Sequence, residues 1–345
     1  MRAFFHDAQL LHDPANFLVR GRPQPSPEQP ARAAALLAGL RNLELDIAAP
    51  EDRGIGPIAA VHGPDYLAFL ETIHTRWQAL PGASAEVIPN IHPERRTSTY
   101  PSHPVGQAGW HQADTACPIG ADTWQSAYWS AQTAIAAADA VLAGAPAAYA
   151  LCRPPGHHAF ADMAGGFCFL NNCAIAAERG LRVGRRVAVL DIDLHHGNGT
   201  QGIFYTRGDV STVSVHVDTA GFYPFFLGHA HERGEGAGLG SNLNLPLPLG
   251  TGDDGFLESL SCGLEQVRRF GADLLVLAAG LDAFAGDPFG GLAVTTEGFR
   301  RIGAACGAAG LATVIVQEGG YLSPELSTNL EALLAGFRDG QAATG

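Results

Sequence analysis

Positive charge is scarce in this chain. Its 345 residues hold 21 Lys plus Arg against 34 Asp plus Glu, a formal net charge of −13. A nucleic-acid partner needs a basic face to neutralise phosphates, so that class of function is set aside. An acidic surface suits cationic ligands, or serves solubility alone. Paired cysteines are also lacking. Cys117, Cys152, Cys168, Cys173, Cys262 and Cys306 include no C-x-x-C spacing. Their mostly apolar neighbours make them read as small core residues in a reducing compartment. No apolar run is long enough to span a membrane. The N-terminal "MRAFFHDAQLLHDP" has no long apolar segment and no small-residue cleavage site. A cytoplasmic location with no membrane partner is expected. Nucleophile elbow, P-loop and dinucleotide fingerprint are absent too.

What is present is a core-forming composition, 46% hydrophobic, with 43 glycines for tight loops. The stretch "RGRPQPSPEQP" at 20–30 reads as a flexible polar arm. Helical spacing is expected over 31–40, 65–77, 123–142, 170–179, 255–270 and 296–307. Residues 81–115, broken by Pro81, Pro89, Pro93, Pro101 and Pro104, read as one long irregular loop. Near-continuous apolar runs lie at 147–152, 187–193, 212–217, 274–280 and 312–317. Such runs suit parallel strands covered on both faces. The expected fold class is α/β: a single open, mostly parallel β-sheet flanked by helices, forming one domain over 1–345.

Each run hands over to polar residues. "ALC" leads to His157 and His158; "VAVLDID" to His195 and His196; "VSVH" to "VD", with His216 and Asp218; "LLVLAAG" to Asp282; "VIVQ" to "EGGY" and Tyr321. In open α/β sheets the ligand site lies beyond the carboxyl ends of the strands. One such residue is an ordinary strand terminator; five together point to a shared rim. Asp191, Asp193 and His195 have the i, i+2, i+4 spacing of one side of an extended chain. Clustered acids resist burial unless a metal, a hydrogen-bond network or solvent compensates them. Asp193, His195 and Asp282 are the preferred metal ligands, and three ligands with one open position is the catalytic pattern. Asp191 is better placed to orient its neighbours. His157 and His158 offer acid–base groups, and Tyr321 offers an oxyanion donor.

"RPPGHHA", "GGFCFLNN", "DIDLHHGNGTQ", "GLDAF" and "EGGY" resemble, in order, the motifs of the zinc-dependent histone deacetylase superfamily, which shares an arginase/deacetylase-like fold. "PEQPAR" at 27–32 and "VHGPDYLAFL" at 61–70 resemble its N-terminal part. "HPERRTS" at 92–98, "GQAGW" at 106–110 and "FFLGHAHE" at 225–232 are similar to the bacterial acetylpolyamine amidohydrolases. The resemblance implies Zn²⁺ on Asp193, His195 and Asp282, with Fe²⁺ or Co²⁺ as substitutes. It makes His158 the general base and later acid, His157 an electrostatic assistant and Tyr321 the carbonyl polariser. Asp191 and Asn198 orient the two histidines. A structural K⁺ falls near Asp191, Asp193, His195, Ser214 and Val215. Phe167, Tyr223 and Gly166 line a tunnel for the acetyl-bearing chain. The 81–115 loop joins a homodimer or higher homo-oligomer and narrows the channel.

One departure concerns the substrate. Where the polyamine enzymes place rim acids for a distal ammonium, this chain has Phe17 and Val105. Asp114 remains as a rim acid or as a loop cap. The expected activity is removal of acetyl groups from small acetylated amines. A protein lysine deacetylase is the alternative, and a non-catalytic metal-bound binding protein is the remote one.

Overall fold

The apolar runs form the centre of the molecule. The computed structural model describes residues 1–94 and 98–343. Within them the strands are β1 (Arg2–Phe4), β2 (Asn16–Val19), β3 (Arg22–Pro25), β4 (Asp46–Ala48), β5 (Ala147–Ala150), β6 (Val187–Asp191), β7 (Val210–Val217), β8 (Asn242–Leu247), β9 (Leu274–Ala279) and β10 (Ala312–Gln317). The helices are α1 (Pro30–Asn42), α2 (Pro64–Gln78), α3 (Pro104–His111), α4 (Thr123–Leu142), α5 (Asn172–Leu181), α6 (Asn198–Phe204), α7 (Asp253–Phe270), α8 (Thr296–Gly307) and α9 (Leu326–Ala342).

Among the described residues, eight strands form one sheet in the order β4-β1-β5-β10-β9-β6-β7-β8. Every pairing in it is parallel. Alternation along each strand feeds two cores. Val187, Val189, Val276 and Val314 pack with α2, α4 and α5 on one face. Leu190, Leu275, Leu277 and Ile315 pack with α1, α7, α8 and α9 on the other. Both faces are dry, which is why β5, β6 and β9 are apolar at nearly every position. Each fully buried Val, Leu, Ile or Phe contributes about 1.5–3 kcal/mol relative to exposure. α8 and α9 approach unusually closely: a Cβ on Gly303 would lie 2.0 Å from the Leu333 carbonyl, and one on Gly336 2.0 Å from that of Arg300.

Several expectations change. Part of the 20–30 arm is a hairpin, with β2 and β3 antiparallel around Arg20 and Gly21, both at positive φ. The 81–115 segment contains α3. Pro104 opens that helix instead of breaking it, because a first-turn residue needs no N–H partner. Residues 95–97 of "HPERRTS" lie outside the described residues. Cys262 is exposed, unlike the other five cysteines. Among the described residues no helix is long and apolar enough to cross a membrane.

Candidate active site

The carboxyl ends of β5, β6, β9 and β10 deliver the polar residues to one place. β6 ends at Asp191, so the expected extended run to 193 is replaced by a ladder of side chain to backbone bonds. Asp191 Oδ1 accepts from the Asp193 N–H at 3.0 Å, and Asp193 Oδ1 from the His195 N–H at 2.8 Å. Asp282, beyond β9, accepts from the Leu194 N–H at 2.9 Å. These short-range bonds replace the pleat as the device that aims the side chains.

The result is a buried group of Asp193, His195 and Asp282 whose ligand atoms all lie within 4.8 Å of one another. His195 Nδ1 stands 3.0 Å from Asp282 Oδ2 and 3.4 Å from Asp193 Oδ1. Two carboxylates and an imidazole converging in a buried site are the donor set of a divalent cation. Burial opposes a charge on His195, yet its bonds to Asp193 and Asp282 lift its pKa to about 9. Burial and the Asp193 charge lift Asp282 to about 6. The cluster therefore draws positive charge. Space for it is kept by glycine: a Cβ on Gly319 would sit 2.4 Å from Asp282 Oδ2, and one on Gly280 2.1 Å from Asp193 Oδ2. The residues fit a metal ion.

The tandem histidines leave β5 through "RPPG". The Gly156 and His157 N–H groups donate to Glu318 Oε2 at 2.6 and 3.0 Å, tying this turn to the end of β10. His157 Nδ1–H donates to Asp191 Oδ2 at 2.9 Å. Burial disfavours its charge, but Asp193 and Asp191 outweigh that and raise its pKa well above the ordinary value. His158 Nδ1 lies 2.7 Å from Asn198 Oδ1, an atom that can only accept. Burial, then the charges of His157 and His195, push the His158 pKa well down. Two adjacent imidazoles, 4.0 Å between centroids, are thus driven apart in protonation.

Tyr321 follows Gly319 and Gly320. Burial raises its pKa well above 10, so it stays an O–H donor. With His158, His195, Gly166, Phe167, Tyr223 and Asp114 it lines a cavity of about 490 Å³. Gly166 and Phe167 both have positive φ, at 49° and 69°. Gly166 has no freedom to grow, since a Cβ would meet His158 Cδ2 at 2.5 Å. The Phe167 backbone is strained for a bulky residue, which is common at ligand sites.

The other residues singled out by their sequence motifs fall as follows. Asp191 and Ser214 are register partners on β6 and β7, with Val215 buried beside them. Phe17 reaches the cavity from the β2 hairpin and meets Phe167 edge-on at 5.5 Å. Val105 does not line it; it packs from α3 against the core. His216 is buried inside β7 and bonds to the Gly228 carbonyl, so it is not a rim residue, and Asp218 is exposed. Sequence reasoning missed Phe222 and Phe289, which also line the cavity. It also gave no role to Glu28, Arg32 and Arg153. Arg32 is buried against Glu28 at 2.6 Å and lies over the Tyr321 ring at 4.6 Å. Two arginines beside one acid in "PEQPAR" and "RPPG" carry no periodic signal.

The chain is 50% identical to an acetylpolyamine amidohydrolase of Burkholderia pseudomallei across 98% of each sequence. It is 41% identical to an acetylpolyamine amidohydrolase of Mycoplana ramosa, covering 97% of this chain and 99% of that one. A crystal structure of an acetylpolyamine aminohydrolase from Burkholderia pseudomallei superposes with a TM-score of 0.95 over 99% of each chain. Residues 26–337 match the histone deacetylase domain, so the chain belongs to that family and is a hydrolase of the deacetylase kind.

Proposed function

We propose that the protein hydrolyses the amide of small N-acetylated amines, acetylpolyamines and related acetylamides, to acetate and the free amine. The names of relatives at 40–50% identity support this substrate class. The observation that carries the chemistry is that His158, His195 and Tyr321 share one cavity, with His158 fixed through Asn198.

Asp193, His195 and Asp282 would hold the divalent ion, Zn²⁺ with Fe²⁺ or Co²⁺ as substitutes. When bound, such an ion supplies Lewis acidity, polarising a carbonyl oxygen and acidifying water. The side chains do the rest. Asn198 takes the Nδ1–H of His158, so Nε2 is left unprotonated and removes a proton from the attacking water. Burial keeps that imidazole neutral beforehand, and the charged His157, held by Asp191, favours its neutral form. His158 then returns the proton to the departing amine nitrogen as the C–N bond breaks. The Tyr321 O–H donates to the oxyanion that forms at the acetyl carbonyl oxygen. Phe167, Phe289 and Tyr223 exclude water around it.

Three further readings accompany this one. A K⁺ near Asp191, Asp193, His195, Ser214 and Val215 would brace the ligand loop. Residues 81–115 would pack against a second copy, which accounts for the exposed Ile91 and Tyr100 there. The distal end of the substrate would meet Phe17 rather than an acid, so shorter or less charged acetylamides are accepted. The test is kcat/KM across acetylputrescine, acetylcadaverine, a neutral acetylated alkylamine and an acetyl-lysine peptide. Activity on the small amides is expected to exceed that on the peptide. A clear preference for the peptide replaces this reading with a lysine deacetylase.

A further inference from the structure

We infer that Asp287 is the positioning residue for Tyr321, and that the same carboxylate fixes the aromatic wall against which Tyr321 works. The inference rests on the donor role proposed for Tyr321.

Tyr321 is preceded by two glycines, and Gly320 sits at φ +105°. Glycine pairs are the freest stretch a chain can offer. A donor mounted after them holds its place only if its peptides are tied. The ties are present. Arg32 donates to the Glu318 and Gly320 carbonyls at 2.8 and 2.6 Å. Gln317 donates to the Gly319 carbonyl at 2.7 Å, and the Gly319 N–H donates to Asp193 at 2.8 Å. All of these act upstream of Tyr321. The tie on its own N–H is Asp287 Oδ2, at 2.9 Å.

Asp287 Oδ1 accepts from the Phe289 N–H, also at 2.9 Å. The Phe289 ring meets Tyr321 edge-on at 4.7 Å and His195 at 5.4 Å. One side chain therefore locks the donor and the ring beside it into a single unit. The loop after β9 carries Asp282, Asp287 and Phe289, and Tyr321 follows the adjacent β10, so the carboxylate bridges two strand ends.

The residue type is informative. Asp287 is 7% exposed, and its charge is opposed by burial and by the neighbouring charge of Asp282. An Asn of the same size would avoid that repulsion. It has one acceptor oxygen, however, and its NH₂ would face one of the two N–H groups. Only a carboxylate satisfies both. A buried acid kept at this cost, when its partners are two backbone N–H groups of the cavity wall, marks a geometric duty.

The test is a double-mutant cycle of Asp287→Asn and Tyr321→Phe, with metal content and melting measured on each protein. Asp287→Asn is expected to lower kcat about tenfold, because a donor displaced by a fraction of an ångström loses much of its effect. Its metal content stays at the wild-type level. In the Tyr321→Phe background the same change moves kcat by less than about twofold, since no donor remains to be misplaced. KM rises equally in both backgrounds, because Phe289 is loosened in both. A tenfold loss in both backgrounds overturns the proposal, as does a loss that excess metal restores. Should Asp287→Asn fail to fold, Asp287→Ser enters the same cycle. If Tyr321→Phe itself keeps the wild-type rate, the donor role falls and this inference with it. A damaging Tyr321→Phe with an additive cycle removes the inference alone.

Discussion

The Tyr223 hydroxyl donates to Asp114 Oδ2 across 2.7 Å. The same oxygen takes the Gly166 N–H at 3.1 Å, and Oδ1 takes the Ala116 N–H at 2.8 Å. Asp114 thereby ties together two walls of the cavity and caps its own loop. A carboxylate with these duties is a poor receiver for a mobile ammonium, although it lines the space where one would sit. We expect Asp114→Ala to lower kcat/KM about tenfold or more, through loss of wall geometry. The loss is expected to be the same for acetylputrescine and for a neutral acetylated alkylamine. A loss confined to the cationic substrate assigns the carboxylate to ammonium binding instead.

Much of this arrangement was legible in the sequence, and the remainder failed for identifiable reasons. The inner strands were readable because both faces are dry, and a near-continuous apolar run of five or six residues has few other uses. β1, β4 and β8 were not found. β1 and β4 have three residues each, and β8 alternates buried Asn242 and Asn244 with half-buried leucines. Prolines misled twice, at Pro104, which opens α3, and at Pro23 and Pro25, which lie in the exposed strand β3. Polar residues next to strand ends announced themselves by position. Asp287, Phe289 and Arg32 did not, since what distinguishes them is a contact across the fold. Asp287 meets the N–H of a residue 34 positions away, and Arg32 reaches a carbonyl 288 positions away.

The metal reading yields a direct expectation. Asp282 is one of three converging donors and also orders the ligand loop through the Leu194 N–H. Asp282→Ala is expected to weaken metal affinity by more than the roughly 10–100-fold typical of residues that only orient ligands. Elemental analysis after dialysis against a chelator reads this without any activity assay. Chelation of the wild type abolishes turnover, and Zn²⁺ restores it. Full metal occupancy in the variant contradicts the assignment.

The contact between α8 and α9 sets a limit on side-chain size. A Cβ at 336 would lie 2.0 Å from the Arg300 carbonyl, so Gly336→Ala must push the two helices apart. Overpacking of this kind costs about 1–3 kcal/mol. Gly56→Ala is the control, because nothing lies within 4 Å of a Cβ there. A lower unfolding midpoint in the first variant and an unchanged one in the second are expected. Equal midpoints show that the helices separate freely.

Acid lability follows from His62. Its ring is buried and shared between two backbone groups: Nε2 accepts from the Asn171 N–H at 2.9 Å, and Nδ1–H points to the Ala161 carbonyl at 3.3 Å. Asn171 caps α5, which packs beside β6. Protonating Nε2 removes the acceptor and sets two N–H groups against each other. Burial lowers the His62 pKa to about 4, against 6.5 ordinarily. Between those values the unfolded chain binds a proton that the folded chain refuses. The contribution is therefore complete above about pH 6.5 and declines as pH falls toward 4, by roughly 3 kcal/mol in all. His62→Gln offers an acceptor oxygen at similar reach and does not titrate. At pH 7 the variant is expected to be the less stable protein, through poorer packing. As the pH is lowered to 4.5 the gap between urea unfolding midpoints should close, because only the wild type carries this penalty. A gap that stays constant across that range means that folded and unfolded chains take up the proton on His62 equally readily, and that Nε2 is not held as the acceptor of the Asn171 N–H.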